Sequence, residues 1–187
     1  MDVLILGGTG FVGRHLVKYL VDLAICSRIR VVDKVIPSMA YLNEEFIEAF
    51  NDETVEFVQG NLTQAATVSS VFIGNFKYVF NLAGEMKYSQ SDAVYASGIV
   101  DLSVGCAEMA AKCGVELFIE MSSCQLYTAN KKPSCENDKL EPWTNIAIAK
   151  MKVENELKNI PNLRYKVMRP AYIYGPGDVS SLSICYI

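Results

Sequence analysis

Val3-Leu4-Ile5-Leu6-Gly7-Gly8-Thr9-Gly10-Phe11-Val12-Gly13, at the start of this 187-residue chain, decides the fold. The four leading apolar residues predict a short strand that is buried on both faces. Helical spacing of apolar residues then runs from Phe11 to Ala24. Gly7 permits a tight turn, Gly10 lets the backbone approach a bound group, and Gly13 lets the helix pack closely on the strand. The stretch therefore predicts a strand, a glycine turn and a helix in immediate succession.

This turn has the chemistry of an anion site. The first N–H groups of a helix have no partner within the helix, and the helix dipole favours negative charge there. Asp33 ends the second predicted strand about 20 residues after the turn, where an acidic residue accepts hydrogen bonds from a ribose. Its carboxylate also repels a 2′-phosphate, although Lys34 beside it weakens that discrimination. The predicted cofactor is NAD, even though the spacing is G-x-x-G-x-x-G and not G-x-G-x-x-G.

Apolar strands and helical patterns alternate along the rest of the chain. The predicted strands are Arg30–Asp33, Val55–Val58, Tyr78–Leu82, 115–121 and Tyr165–Met168, and the predicted helices are 40–50, 64–73, 92–113 and 144–159. This order predicts a doubly wound parallel sheet with helices on both faces, a three-layer α/β/α Rossmann fold. We expect one nucleotide-binding domain over residues 1–178, followed by a short tail over residues 179–187.

Composition excludes several classes of protein. Hydrophobic residues make up 51% of the chain and charged residues 20%, and the net charge of −4 comes without a basic stripe, so no nucleic-acid partner is expected. No continuous apolar run reaches the roughly 18 residues of a membrane span, and the first strand begins at Asp2, so we expect a cytoplasmic protein without membrane contact. The six cysteines form no C-x-x-C pair and the one histidine is His15, so free thiols and no metal site are expected.

Four later segments carry a recognisable pattern. They are Gly60-Asn61-Leu62, Asn81-Leu82-Ala83-Gly84, Met121 to Tyr127, and Arg169 to Asp178. Together with the glycine turn they resemble the extended short-chain dehydrogenase/reductase family, the group of NAD-dependent epimerases and dehydratases. The resemblance implies that NAD contacts Gly7, Gly10, Phe11, Val12, Gly13, Asp33, Asn61, Leu62, Leu82, Ala83, Gly84 and Lys150. It also implies Ser123 and Lys150 as catalytic residues.

Two positions depart from the family pattern. The family carries Tyr-x-x-x-Lys, in which the phenol is the general acid/base and the lysine holds the nicotinamide ribose and lowers the phenol pKa. Here Ile146 stands four residues before Lys150, and an apolar side chain has no proton to exchange. The family's asparagine in the long helix is likewise replaced, by Ile99. The resemblance therefore implies a degraded catalytic site.

Three hypotheses about function stay open. The first is an NAD-binding protein that is weakly active or non-catalytic, such as a redox sensor, a scaffold or an assembly partner. The second is an active NAD-dependent oxidoreductase or sugar epimerase/dehydratase with a relocated acid/base at Tyr127, Cys124 or Tyr174, with Lys87 able to meet an anionic substrate. The third is an interaction module whose nucleotide cleft stays empty.

The chain also ends early relative to the family, which has a substrate lobe after the segment that closes with Asp178. We therefore expect a truncated product that binds its unidentified small-molecule substrate poorly. The resemblance further implies a possible homodimer through helices 92–113 and 144–159. Small residues on these helices, which either contact a second copy or face the sheet, are Ala107, Ala110, Ala111, Ala147 and Ala149.

Overall fold

The computed structural model of the protein describes residues 1–128 and 133–178. The predicted tail over 179–187 lies outside the described residues. Six strands form one parallel sheet in the order β3-β2-β1-β4-β5-β6. They are β1 (Asp2–Leu6), β2 (Arg28–Asp33), β3 (Val55–Gln59), β4 (Tyr78–Asn81), β5 (Leu117–Met121) and β6 (Tyr165–Met168). This order is that of a doubly wound fold, which confirms the predicted fold class.

Helices connect the strands on both faces of the sheet. They are α1 (Phe11–Leu23), α2 (Glu44–Phe50), α3 (Ala65–Val71), α4 (Asp92–Tyr95), α5 (Leu102–Lys112) and α6 (Asn145–Leu157). A π-helical segment, Ala96–Asp101, joins α4 to α5, so that the three pieces form one long helix, Asp92–Lys112. The helix predicted over 40–50 begins later, because Asn43 accepts a hydrogen bond from the Phe46 N–H and caps α2 at that point.

The apolar side chains of β1 explain why its sequence is continuously hydrophobic. Val3 and Ile5 belong to the core under α1 and α2, whereas Leu4 and Leu6 belong to the core under α3, α5 and α6. All four side chains are buried. The strand is thus covered on both faces, as in parallel sheets generally, and the glycine turn that follows it is fixed in place.

The long helix Asp92–Lys112 is a structural element of the core. By length and composition alone it could cross a membrane, which the absence of a continuous apolar run of about 18 residues did not predict. Ile99, Cys106, Ala107 and Ala110 on this helix are fully buried among the core residues. Core helices can have the same length and composition, and 39% of the most apolar 18-residue stretch of this helix is buried inside the protein.

The alanines considered for a dimer interface are largely occupied within the chain. Ala107, Ala110, Ala147 and Ala149 are buried in the protein's own core. Ala111 is half-buried. Most of these small residues therefore let the helices approach the sheet closely, and a dimer through the same helices stays a prediction.

Candidate functional site

A cleft of about 600 Å³ opens at the carboxyl ends of the central strands, where the strand order reverses between β1 and β4. Ligands of doubly wound sheets bind at this position. The cleft lining includes the residues Gly7, Gly10, Phe11, Val12, Gly13, Asp33, Asn61, Leu62, Leu82, Ala83, Gly84 and Ser123. The structure thus brings eleven of the twelve residues expected at the cofactor, together with Ser123, to one surface; Lys150 is the exception.

The glycine turn is packed so tightly that it requires glycine. Gly7 has a φ of +80°, and a Cβ placed on it would lie 2.6 Å from the Ala83 nitrogen. A Cβ on Gly13 would lie 2.5 Å from the Gly7 carbonyl oxygen. The close approach leaves the first turn of α1 facing the cleft, where its N–H groups can receive an anion. The turn therefore fits the pyrophosphate of a dinucleotide.

Asp33 is held in a fixed orientation at one end of the cleft. Its Oδ2 accepts a hydrogen bond from the Thr9 N–H and its Oδ1 accepts one from the Val35 N–H, both across 3.1 Å. Each carboxylate oxygen keeps lone-pair capacity for a second donor. Lys34 also lines this end of the cleft. The arrangement fits a ribose diol beside the carboxylate.

The opposite end of the cleft carries several polar and apolar side chains from separate elements. Ser123 accepts a hydrogen bond from the Gln125 N–H across 3.1 Å, and Cys124 and Gln125 line the same wall. Met86 and Tyr88, from the loop after β4, line the cleft as well, and the Tyr88 hydroxyl accepts a hydrogen bond from Gln125 Nε2 across 3.1 Å. A substrate that reacts with the nicotinamide end of a dinucleotide would meet these groups.

Lys150 lies beneath the cleft and not on its lining. Its ammonium donates to Oε1 of Glu120 across 3.0 Å, with the lysine 4% exposed and the glutamate fully buried. Asn81 donates to Oε2 of Glu120, and Ser103 donates to Oε1. The Lys150 nitrogen is 3.8 Å from the point where a Cβ on Gly84 would stand, so the ion pair lies directly under the cleft floor.

The two isoleucines at the family's polar positions belong to the core. Ile146 is 2% exposed and Ile99 is fully buried. Both pack in the cluster that also contains Leu102 and Phe118. Neither position offers a group that can exchange a proton with a ligand.

The candidates for a relocated acid/base are placed differently from one another. Cys124 lines the cleft, whereas Tyr127, Tyr174 and Lys87 do not. The Tyr127 hydroxyl accepts a hydrogen bond from Arg169 Nη1. Arg169 also donates from Nε and Nη2 to the two carboxylate oxygens of Glu154. The hydrogen bond to Glu154 raises the pKa of Arg169, so the guanidinium stays charged at every accessible pH. The Tyr127 oxygen is thus engaged away from the cleft.

A widened helical turn supports the cleft from the side. Within the π-helical segment Ala96–Asp101, the Gly98 carbonyl accepts a hydrogen bond from the Glu85 N–H across 3.1 Å. Gly98 and Glu85 both line the cleft, and a Cβ on Gly98 would lie 3.0 Å from the Glu85 Cβ. π-helical segments recur at functional sites, and this one fixes the loop that follows β4.

Comparison with known proteins places this geometry among a group of related chains. A family model described as the NAD dependent epimerase/dehydratase family matches residues 3–186. A sterol-4-alpha-carboxylate 3-dehydrogenase (decarboxylating) of Saccharomyces cerevisiae is 26% identical over 190 residues, covering 95% of this chain and 52% of the relative. The chain therefore spans about half the length of the curated relative that it matches.

Solved structures show the same arrangement of strands and helices. A UDP-glucose 4-epimerase of Thermotoga maritima, solved with UDP-glucose, matches with a TM-score of 0.80 at 27% identity, covering 94% of this chain and 57% of the epimerase. A UDP-glucuronic acid 4-epimerase of Bacillus cereus, solved with NAD, matches with a TM-score of 0.81 at 19% identity, covering 95% and 59%. At the lower identity the likeness concerns the fold alone.

Proposed function

The chain belongs to the NAD-dependent epimerase/dehydratase family, and from this membership we propose that it holds NAD in the cleft while its Tyr-x-x-x-Lys position is weakly active or non-catalytic. The turn from Gly7 to Gly13 receives the pyrophosphate, and Asp33 accepts hydrogen bonds from the adenosine ribose. Bound NAD supplies a hydride acceptor, and NADH a hydride donor, at the Ser123 end of the cleft. The fixed Asp33 carboxylate supports NAD over NADP, because a 2′-phosphate would meet a negative charge.

One observation carries the second half of the proposal: Lys150 is neutralised by Glu120 beneath the floor, beside an isoleucine where the family has its phenol. A buried ammonium without a counter-charge is strongly unfavourable, so the ion pair gives Lys150 a structural role that needs no tyrosine. A positioned acid/base contributes about 10²–10⁴ to a rate, which is the expected deficit of this site.

Titration of NAD, NADH, NADP and NADPH into the purified protein tests the first half. We expect the two NAD forms to bind more tightly than the two NADP forms. Failure of all four to bind would overturn the proposal and favour an interaction module with an empty cleft. NADH oxidation with nucleotide sugars, sterols and simple ketones tests the second half, since turnover as fast as in relatives with Tyr-x-x-x-Lys would contradict a degraded site.

An active enzyme with a relocated acid/base is the second candidate. The position of Cys124 on the cleft lining favours it, whereas Tyr127 is bonded to Arg169 outside the lining. Replacement of Cys124 by Ser keeps a small polar group while removing the thiol. Turnover that falls at least about tenfold in Cys124→Ser but not in Tyr127→Phe would support this candidate, on the scale of acid–base catalysis.

We extend the proposal to assembly and location. A homodimer would use the exposed faces of the long helix Asp92–Lys112 and of α6, which carry the partly exposed side chains of Val94 and Ile148. The molar mass in solution tests this, and a monomer at high concentration would contradict it. A cytoplasmic location is supported by free thiols at Cys26, Cys106, Cys113, Cys124 and Cys135.

A further inference from the structure

Three hydrogen bonds in a row end at a phenol in the cleft. The Ala147 N–H donates to Oγ1 of Thr144 across 3.1 Å, which caps helix α6. Thr144 Oγ1 donates to Oε1 of Gln125 across 2.8 Å. Gln125 Nε2 then lies 3.1 Å from the hydroxyl oxygen of Tyr88. The series begins at the helix where the family's tyrosine would stand and ends on the cleft lining.

The hydrogen bonds of this series run in one direction. The Ala147 N–H donates to the Thr144 oxygen, and in the amide orientation of this structure the Thr144 hydroxyl donates to the Gln125 carbonyl oxygen. The Gln125 amide group therefore faces Tyr88 and can only donate to it. The phenol oxygen is then an acceptor, and its own proton has no acceptor among the described residues, so it can point at a ligand.

The position of Tyr88 matches this capacity. Tyr88 lines the cleft with Ser123 and Cys124, at the end remote from Asp33, and its side chain is accessible to solvent. Tyr127, whose oxygen accepts a hydrogen bond from Arg169, differs from Tyr88 in that it is not on the cleft lining. Gln125, which anchors the Tyr88 oxygen, is 9% exposed and is held at its other end by Thr144.

We propose that Tyr88 is the hydrogen-bond donor to the reacting oxygen of a carbonyl or alcohol bound next to the nicotinamide, and the proton-exchanging group in the turnover that this site supports. The proposal rests on NAD binding in the cleft. In carbonyl reduction the hydride passes from NADH to the carbonyl carbon, the Tyr88 proton passes to the carbonyl oxygen, the alcohol and NAD⁺ leave, and water reprotonates the phenolate. Oxidation of the alcohol runs through the same steps in reverse.

The surrounding side chains define the class of ligand. Among the described residues, Lys34 is the one basic residue of the cleft lining, and it lies beside Asp33. The cleft lining also includes the apolar residues Met86 and Ile173, and Glu85, which stands three residues before Tyr88 and whose carboxylate accepts a hydrogen bond from the Lys87 N–H. A negatively charged reacting group near Tyr88 would be repelled by the Glu85 carboxylate. Lys34, which could attract it, lies at the other end of the cleft. The ligand that fits is an uncharged ketone or secondary alcohol with an apolar body.

Tyr88→Phe and Tyr127→Phe are a matched pair for the test, because each removes one hydroxyl. The full chain is saturated with NADH, and 4-phenylcyclohexanone and phenylcyclohexane are titrated by the change in NADH fluorescence. We expect Tyr88→Phe to weaken ketone binding by about 2–13-fold, the range of one net hydrogen bond, and to leave NADH affinity unchanged. Phenylcyclohexane, which has no oxygen, should bind both variants as it binds the unmodified protein.

The outcomes separate the two proposals. Absence of NADH binding to the unmodified protein would defeat the proposed function itself. NADH binding together with equal ketone affinity in the unmodified protein and Tyr88→Phe would defeat only the role of Tyr88. That role would also be overturned if the ketone does not bind to the NADH complex, or if Tyr127→Phe weakens ketone binding as much. Matching thermal unfolding of the two variants would show that both are folded.

Discussion

Lys150 on helix α6 and Glu120 on strand β5 form an ion pair of 3.0 Å inside the protein. Asn81 and Ser103 donate the remaining hydrogen bonds to the carboxylate. All four side chains are buried, so the ion pair connects helix α6 to strand β5 inside the core and is not a surface contact. Removal of one partner leaves the other charge without compensation.

We therefore expect Lys150→Met to lower the free energy of unfolding by about 3–5 kcal/mol, because Glu120 would be left as an unpaired buried charge. The double variant Glu120→Gln/Lys150→Met removes both charges and should recover part of that loss. Urea unfolding measures both quantities. Lys158→Met, at the exposed end of the same helix, is the control. Equal stability of Lys150→Met and the control would show that the Lys150–Glu120 ion pair does not stabilise the fold.

Gly13→Ala should abolish or strongly weaken NAD binding. The new Cβ would lie 2.5 Å from the Gly7 carbonyl oxygen and from the Gly8 Cα, and these backbone atoms can yield only by opening the turn. Gly105→Ala is the matched control, since no atom of the described residues outside its own helix turn lies within 4 Å of its Cβ. In the interior of α5 that change should stabilise the protein by roughly 0.5–1 kcal/mol. Calorimetric titration with NAD compares the two, and unchanged affinity in Gly13→Ala would contradict a functional turn.

Asp33→Asn should weaken NAD binding by about 10–150-fold, the range for a hydrogen bond to a charged group. The affinity for NADP should fall less, because the charge that repels the 2′-phosphate is gone. Asp22→Asn removes an exposed carboxylate at the far end of α1, where it pairs with Lys18, and should change neither affinity. Titration of both coenzymes gives the ratio of the NAD affinity to the NADP affinity. An unchanged ratio in Asp33→Asn would show that Asp33 does not determine which coenzyme is preferred.

Thiol labelling should distinguish the buried cysteines from the exposed ones. Burial, assisted by the negative charge of Glu120, raises the pKa of the Cys106 thiol far above its usual range. At pH 8 Cys106 stays protonated and inaccessible, whereas Cys113 and Cys135 are exposed and should react with a thiol reagent. Peptide mapping by mass spectrometry identifies the labelled sites. Labelling of Cys106 at the rate of Cys113 in the folded protein would contradict the packing of α5 on the sheet.

The sequence predicts most of the fold because its signals are local. The apolar residues of β1 and the glycines after it are contiguous, and they define the strand, the turn and the helix without reference to the rest of the chain. The boundaries of the remaining strands agree with the prediction to within about two residues. Only the onset of α2 differs clearly, because the capping side chain of Asn43, not the apolar pattern, determines where the helix begins.

The reactive end of the cleft could not be predicted in the same way, because its residues come from separate parts of the chain. Glu120 gave one signal, since it is an acidic residue within the apolar strand Leu117–Met121 and a buried charge requires a partner. The identity of that partner depends on how α6 packs on β5. Tyr88 and Gln125 are 37 positions apart and gave no local signal, because their hydrogen bond exists only after β4 and β5 are paired.

The π-helical segment Ala96–Asp101 has a mechanical consequence for coenzyme association. Its Gly98 carbonyl accepts a hydrogen bond from the Glu85 N–H, and the next residue, Ile99, is buried in the core. Ser103, one turn later in the same helix, donates a hydrogen bond to Glu120. One helix thus contacts both the loop at the edge of the cleft and the buried ion pair beneath its floor. These contacts fix the wall of the cleft before a dinucleotide enters, so we expect little chain entropy to be lost on binding. Association should accordingly be a single fast step, with the residence time determined by the contacts themselves.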